Sequence, residues 1–136
     1  MTIHPCPKPT KQPKQRRRHK PTKRQQLIRR ADAAVREVVL SEEKNCIVCN
    51  TTANLQPGHL FTRSKYSVRW DRRNIHAQCR NCNFSHEFDP HPYTMKFIDR
   101  FGLEEYRKLY AEAETPRKWS CDDIEEIAMY YEEMSK

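Results

Sequence analysis

The chain has 136 residues, of which 36% are hydrophobic and 32% charged, and its formal net charge is +8 at pH 7. This length predicts one compact domain rather than two, and the small apolar fraction indicates that side-chain burial alone does not stabilise it. No apolar run is long enough to cross a membrane, and the positive charge favours a polyanionic partner. The N-terminus lacks the apolar stretch of a secretory signal, so we expect a cytoplasmic protein whose six cysteines stay reduced.

The N-terminal segment carries much of the positive charge. Residues 1–30 contain eleven Lys and Arg and no acidic residue, and several prolines interrupt them. Such a composition cannot bury apolar surface, so we predict a disordered basic arm over residues 1–23. The arm either neutralises DNA phosphates, with Arg16, Arg17 and Arg18 as candidate contacts, or is a solubilising or targeting tail. The remainder of the chain favours DNA.

The predicted folded domain covers residues 24–136. An apolar pattern with helical spacing, from Leu27 to Val38, predicts a packing helix over 24–41. A core rich in Cys, His and Asn follows at 44–90, and further helices are predicted over 92–135. Gly102 is expected to end the first of these, and Ser120 with Asp123 resembles a capping box that starts the last.

Two CxxC motifs predict a zinc site. Cys46 and Cys49 form the first pair, and Cys79 and Cys82 form the second. Two-residue spacing lets both thiolates of a pair bind one tetrahedral ion, and two pairs complete its coordination. A site with four protein ligands has no open position for water, so this zinc is expected to stabilise the fold rather than to react.

The residues between and after these motifs predict two strands and a helix. Residues 55–61 resemble a short strand that carries His59, and residues 66–70 alternate as a second strand would. Asn83 and His86 are three residues apart, which places them on one face of a helix. We expect this arrangement to bring His59, Asn74, Asn83 and His86 close together.

This residue set suits phosphodiester hydrolysis. The reaction requires a base for the attacking water and a cation that stabilises charge on the phosphorus oxygens. A neutral histidine fits the first role, and oxygen ligands with substrate phosphate fit a Mg²⁺ or Mn²⁺ ion. Each residue also has a structural interpretation: His59 as an ordinary strand histidine, Asn74 as a turn cap, and Asn83 and His86 as surface residues of a helix.

The order of the motifs is specific enough to indicate a family. The first CxxC, Gly58-His59, the segment Arg72-Arg73-Asn74-Ile75-His76-Ala77-Gln78, the second CxxC with Asn83, and Pro92-Tyr93 together resemble the NinG (Rap) family of lambdoid phage recombination nucleases. The similarity covers about residues 26–133. The order CxxC, strand histidine, CxxC-Asn is also similar to the endonuclease VII group of junction resolvases.

The resemblance implies an α+β, zinc-stapled ββα-metal (HNH) domain with flanking helices, encoded by a phage and acting on Holliday junctions or related branched DNA. His59 would then be the general base, and Asn74 would fix the loop and the orientation of the histidine. Asn83 would bind the catalytic metal, and His86 would complete or flank that site. The products would carry 5′-phosphate and 3′-hydroxyl ends.

The sequence departs from the family where a second metal ligand is expected. Gly58 precedes the histidine, and Gln56 stands where NinG proteins usually have Asp. His76, another residue or the phosphate itself could complete the coordination.

Further alternatives concern the DNA contacts and the function. The basic residues near the site are either phosphate contacts or a solvated face. Symmetric cleavage of a four-way junction requires two active sites, which predicts a homodimer. A non-catalytic zinc module that binds branched or single-stranded DNA is the main alternative to a nuclease, and a protein-binding phage factor is a third. The candidate phosphate contacts are Arg63, Lys65, Arg69, Arg72 and Arg73.

Overall fold

In a computed structural model, which describes Thr2 and residues 5–136, five α-helices surround one two-stranded sheet. The predicted mixed α+β class is therefore confirmed. The basic segment at residues 5–20 is exposed and forms no helix or strand. The helices are α1 (Lys23–Glu42), α2 (Arg80–His86), α3 (His91–Phe101), α4 (Leu103–Glu114) and α5 (Cys121–Met134), and the strands are β1 (Leu55–His59) and β2 (Ile75–Cys79).

Helices α1 and α5 form the largest packing interface between elements. Each begins with a capping box, in which Thr22 and Gln25 cap α1 and Ser120 and Asp123 cap α5. The predicted start of the last helix is thus confirmed, and α1 extends one residue beyond each predicted end. Ala128 faces the core in the middle of α5, and the neighbouring Ile127 is only partly buried.

The second strand was predicted in the wrong place. Residues 66–70 do not form a strand: Tyr66–Val68 is a short 3₁₀ helix, and β2 lies at Ile75–Cys79. Tyr66 and Trp70 are four residues apart, a spacing that puts two side chains on one side of a strand and also of a helix. Trp70 packs with α1, whereas Val68 packs in a separate cluster with Tyr93, so the three residues do not share a strand face.

The sheet separates two hydrophobic clusters. Strands β1 and β2 are antiparallel, with Gly58 opposite His76. Ile75 and Ala77 of β2 face α1 and α5, and the other side of the strand faces α3, where the ring of His76 lies against Phe97. The start of α2 therefore lies beside the start of β1, and the helix runs back along the strand so that His86, at its end, contacts Leu60 just after β1. No helix within residue 2 and residues 5–136 is long and apolar enough to cross a membrane.

Candidate metal centre and adjoining cleft

The four cysteines of the CxxC pairs converge at one point. Their sulfur atoms all lie within 4.8 Å of one another, and the Sγ atoms of Cys49 and Cys79 are 3.7 Å apart. Two ligands at 2.3 Å from a tetrahedral ion are about 3.8 Å apart, so this spacing fits Zn²⁺ bound by four thiolates. Cys46, Cys49, Cys79 and Cys82 could therefore hold a zinc ion, as the sequence predicts.

The backbone donates a hydrogen bond to one sulfur of each pair. The amide of Cys49 donates to Cys46 Sγ at 3.5 Å, and the amide of Cys82 donates to Cys79 Sγ at 3.4 Å. Burial alone would raise the pKa of Cys46, but hydrogen bonds from the backbone outweigh it and lower that pKa to about 7. Cys79 is also the N-cap of α2, so the second pair joins β2 directly to this helix.

His59 is the last residue of β1 and lies at the wall of an open cleft of about 1180 Å³. Its Nε2 is 2.9 Å from the carbonyl oxygen of Arg69. Because a carbonyl only accepts hydrogen bonds, Nε2 carries the proton and Nδ1 has a free lone pair when the ring is neutral. Burial lowers the pKa of His59 to about 4, so the ring is neutral at pH 7.

Asn74 immediately precedes β2, and its side chain is completely buried. The Oδ1 atom accepts from the amide of Phe61 at 2.8 Å, and Nδ2 donates to the carbonyls of Phe61 and Val68. These bonds tie the beginning and the middle of the loop that follows β1 to the start of β2. Asn74 thus holds the loop that supplies the carbonyl partner of His59, and its side-chain bonds within the described residues all go to this backbone.

We expect Asn74→Ala to lower the free energy of unfolding by about 3 kcal/mol, because it leaves one buried and two partly buried backbone groups without their partner. Urea unfolding followed by far-UV circular dichroism measures this loss. Asn81→Ala is the matched control, since Asn81 is exposed and its stability change should stay within about 0.5 kcal/mol. Equal stability of the two variants would contradict this account of Asn74.

His86 and Asn83 lie on α2 and line the same cleft as His59. The Nε2 atom of His86 donates to the carbonyl of Leu60 at 2.9 Å, which leaves Nδ1 as the acceptor atom of the neutral ring. This Nδ1 atom is buried and has no hydrogen-bond partner among the described residues. A buried lone pair of this kind is suited to a metal ion or an ordered water molecule.

The residues considered for the second metal position have different surroundings. His76 faces acceptors on both ring nitrogens, namely the carboxylate of Glu43 and the carbonyl of Arg73, so neither nitrogen is available to a metal. Gln56 lines the cleft. Within residue 2 and residues 5–136, the four cysteines form the only group of three or more His, Cys, Asp or Glu side chains close enough to share an ion.

Three of the predicted phosphate contacts are arginines paired with carboxylates of the protein itself. Arg69 binds Asp32, with Nη2 and Oδ2 2.7 Å apart, and only 12% of its side chain is exposed. Arg72 binds Glu42 and Glu43, and Arg73 binds Asp71 and Glu112. These pairs give the three arginines a structural role whether or not DNA also contacts them.

The other predicted contacts differ in their exposure and pairing. Lys65 Nζ lies 3.2 Å from Glu114, in a pair that is open to solvent. The side chain of Arg63 is 63% exposed, and its contact with Asp32 is long, at 3.9 Å. Arg63 also lines the cleft, so it can reach a ligand there. Arg16, Arg17 and Arg18 lie in the exposed basic segment.

Sequence reasoning missed two acidic residues that organise the site. Asp32 accepts from Arg69 and from the indole of Trp70 at 2.8 Å, and thereby positions the segment that contacts His59. Its position four residues after Ile28 and three before Val35, on the packing side of α1, was the available signal. Glu43 binds Arg72 and His76, which together lower its pKa to about 2 against the effect of burial. No local pattern marks Glu43.

Comparisons with known proteins agree on one family. The family model for the bacteriophage lambda NinG protein matches residues 7–136. Protein ninG of Salmonella phage P22 is 28% identical over 114 residues, which cover 80% of this chain and 56% of that protein. Protein ninG of Escherichia phage 933W is 29% identical with the same coverage, and that of Escherichia phage lambda is 28% identical over 55% of its length. The chain thus spans about half the length of these relatives. No solved structure matches it.

Proposed function

The chain belongs to the NinG family of bacteriophage proteins, and we propose that it is a metal-dependent DNA endonuclease of the HNH type. Its substrate would be branched DNA, a Holliday junction or a D-loop, formed during phage recombination in the cytoplasm of the host. One observation carries this proposal. The ring of His59 is neutral and is held by a hydrogen bond to a backbone carbonyl, in a cleft lined by basic residues and by His86.

In this proposal His59 is the general base. Its Nδ1 atom accepts a proton from the water that attacks the phosphorus atom, while the Arg69 carbonyl keeps the ring in one tautomer and orientation. Asn74 is a positioning residue, because it holds the loop on which this carbonyl depends. Negative phosphates near the ring raise the pKa of His59 in the complex, which strengthens the base where it is needed.

Asn83 and His86 would hold the catalytic ion, Mg²⁺ or Mn²⁺. The Nδ1 atom of His86 has no hydrogen-bond partner in the described part of the chain, and His86 and Asn83 lie on the same helix and line the same cleft as His59. When bound, such an ion stabilises the charge on the phosphate oxygens and the leaving 3′ oxygen. The phosphate itself would supply further ligands, as is common for Mg²⁺ sites.

A non-catalytic module that binds branched or single-stranded DNA is the second candidate. A specific observation favours it: in the described part of the chain no carboxylate joins His59 and His86 in a group that could share an ion. The zinc centre, the basic arm and the cleft would then serve binding alone.

The test is cleavage of a labelled four-way junction beside a linear duplex of the same sequence, with Mg²⁺, Mn²⁺ or EDTA. Metal-dependent cutting of the junction, with products ending in 5′-phosphate and 3′-hydroxyl, supports the nuclease. Tight junction binding without cutting under any metal contradicts it and favours the binding module. Paired nicks on opposite strands of one junction support the proposed homodimer, since each copy contributes one site.

We expect the basic arm to contribute phosphate contacts that salt weakens. Replacing Arg16, Arg17 and Arg18 together by Ala should reduce the slope of log K against log salt by about 2.7, because each lost contact removes about 0.9. The slope is measured by fluorescence anisotropy of labelled DNA between about 50 and 200 mM salt. Replacing Arg107, Lys108 and Lys118, which are also exposed but lie outside the basic arm, is the control. Equal slopes for the two triple variants would refute the arm's role.

A further inference from the structure

Two phenylalanines near the cleft are unusually open to solvent. Phe84 is 66% exposed and Phe88 is 73% exposed, more than the other large hydrophobic side chains that the structure describes. Their ring centroids are 5.4 Å apart, so they form one continuous apolar surface rather than two scattered residues. Exposing adjacent aromatic rings is unfavourable, and such patches commonly mark binding sites.

The position of this pair places it next to a candidate DNA site. Phe84 lines the same cleft as His59 and lies one helical turn after Arg80 on α2. Arg80 is exposed and forms no ion pair within the described residues. Arg63, on the loop after β1, lines the cleft as well. An aromatic surface is thus bordered by guanidinium groups that can reach phosphates.

A nucleobase joined to a phosphate has the matching chemistry. Its flat face stacks on an aromatic ring, its phosphate pairs with an arginine, and its edge can bond to an amide such as that of Asn81 in the cleft. In a continuous duplex each base face is covered by its neighbours, and no ring can stack there without opening a step. In a four-way junction without divalent metal the arms do not stack on one another, so base faces at the branch point are open to a protein ring.

We propose that Phe84 and Phe88 form a stacking platform for bases exposed at a branch point, and that this platform gives the protein its preference for branched over linear DNA. The inference rests on the DNA binding of the proposed function but does not require cleavage. It assigns selectivity to an apolar contact that salt does not screen, whereas Arg63, Arg80 and the arm contribute contacts common to all DNA.

The test uses the full chain and EDTA, so that binding is measured without cutting. The probes are a four-way junction with 2-aminopurine at the branch point and a linear duplex of the same sequence. Phe84→Ala/Phe88→Ala should weaken junction binding about tenfold or more and abolish the fluorescence change, with less than about twofold effect on the duplex. Phe84→Trp/Phe88→Trp should restore both. Met129→Ala/Tyr130→Ala, an exposed pair on the acidic helix α5, is the control.

Three outcomes would overturn the platform. The double alanine variant could bind the junction as wild type does, or it could lose junction and duplex binding equally. It could also sediment as a monomer where wild type is a dimer, which would make the pair a contact between copies. Failure of the nuclease proposal is distinguishable, because a protein that never cuts can still show selective binding and the fluorescence change. A wild-type protein that binds no DNA overturns both proposals.

Discussion

Replacing Cys79 by Ser should abolish zinc binding and the cooperative unfolding of the domain. Cys79 contributes a sulfur to the four-cysteine cluster, ends β2 and caps α2, so its loss affects all three. Binding of structural zinc contributes about 10–16 kcal/mol in small zinc domains, which matches or exceeds the whole stability of a typical domain, about 5–15 kcal/mol. The chain with three remaining ligands therefore lacks the free energy to order its centre.

The measurements for this prediction are the zinc content per chain by mass spectrometry and thermal unfolding by circular dichroism. Wild type should contain one zinc per chain at the four-cysteine cluster and unfold in one transition that disappears with a strong chelator. Cys6→Ser and Cys121→Ser are matched controls, because neither cysteine belongs to the cluster, and both should retain zinc and the transition. A zinc-free Cys79→Ser protein that melts like wild type would contradict a structural role for the ion.

Features encoded by local spacing could be predicted from the sequence. The zinc cluster follows from two CxxC pairs, and the start of α5 follows from Ser120 and Asp123. The apolar pattern from Leu27 to Val38 likewise identified α1 because that helix has one buried side. For the two helices, the residues that form the pattern lie within a few positions of one another. For the cysteines, the CxxC spacing itself indicates metal binding.

Strand β2 could not be predicted because its burial depends on distant residues. All five of its residues are buried, including the polar His76 and Gln78, so it shows no alternation of apolar and polar side chains. His76 is accommodated by Glu43, 33 residues earlier. Gln78 fits only because Gly58, on the neighbouring strand, has no side chain: a Cβ atom at Gly58 would lie 2.0 Å from Gln78 Oε1. Neither partnership leaves a local pattern.

The pairing of the arginines was hidden for the same reason. Arg69 and Arg72 bind acidic residues that lie 37 and 30 positions away, Asp32 and Glu42. In the sequence these arginines form a basic segment with few nearby acids, which is also how a phosphate-binding surface looks. Only the fold distinguishes a cation that holds the protein together from one that is available to DNA, and Arg63 and Arg80 are the better candidates for the second role.

Replacing His59 by Ala should reduce the rate of DNA cleavage by about 10²–10⁴-fold, the usual contribution of a general base, and leave junction affinity unchanged. Among the residues that the structure describes, the side chain bonds only to the Arg69 carbonyl, and it is not a phosphate contact in this proposal. Single-turnover cleavage measures the rate, and binding in EDTA measures the affinity. His91→Ala is the control, because His91 is an exposed histidine outside the residues that line the cleft. Full cleavage by the His59 variant would remove it from the mechanism.

The pH dependence of cleavage provides a second readout of the same residue. Burial lowers the pKa of His59 from 6.5 to about 4, and the neutral ring is the form that accepts the proton. The base therefore stays competent as pH falls through 6.5, and kcat/KM, which reports the free protein, should be nearly constant between about pH 5.5 and 7.5. A solvent-exposed histidine would instead lose about tenfold in kcat/KM for each unit below its pKa. Such a fall in kcat/KM between about pH 6.5 and 5.5 would mean that His59 has the pKa of an exposed histidine. Its ring would then not be buried in the free protein.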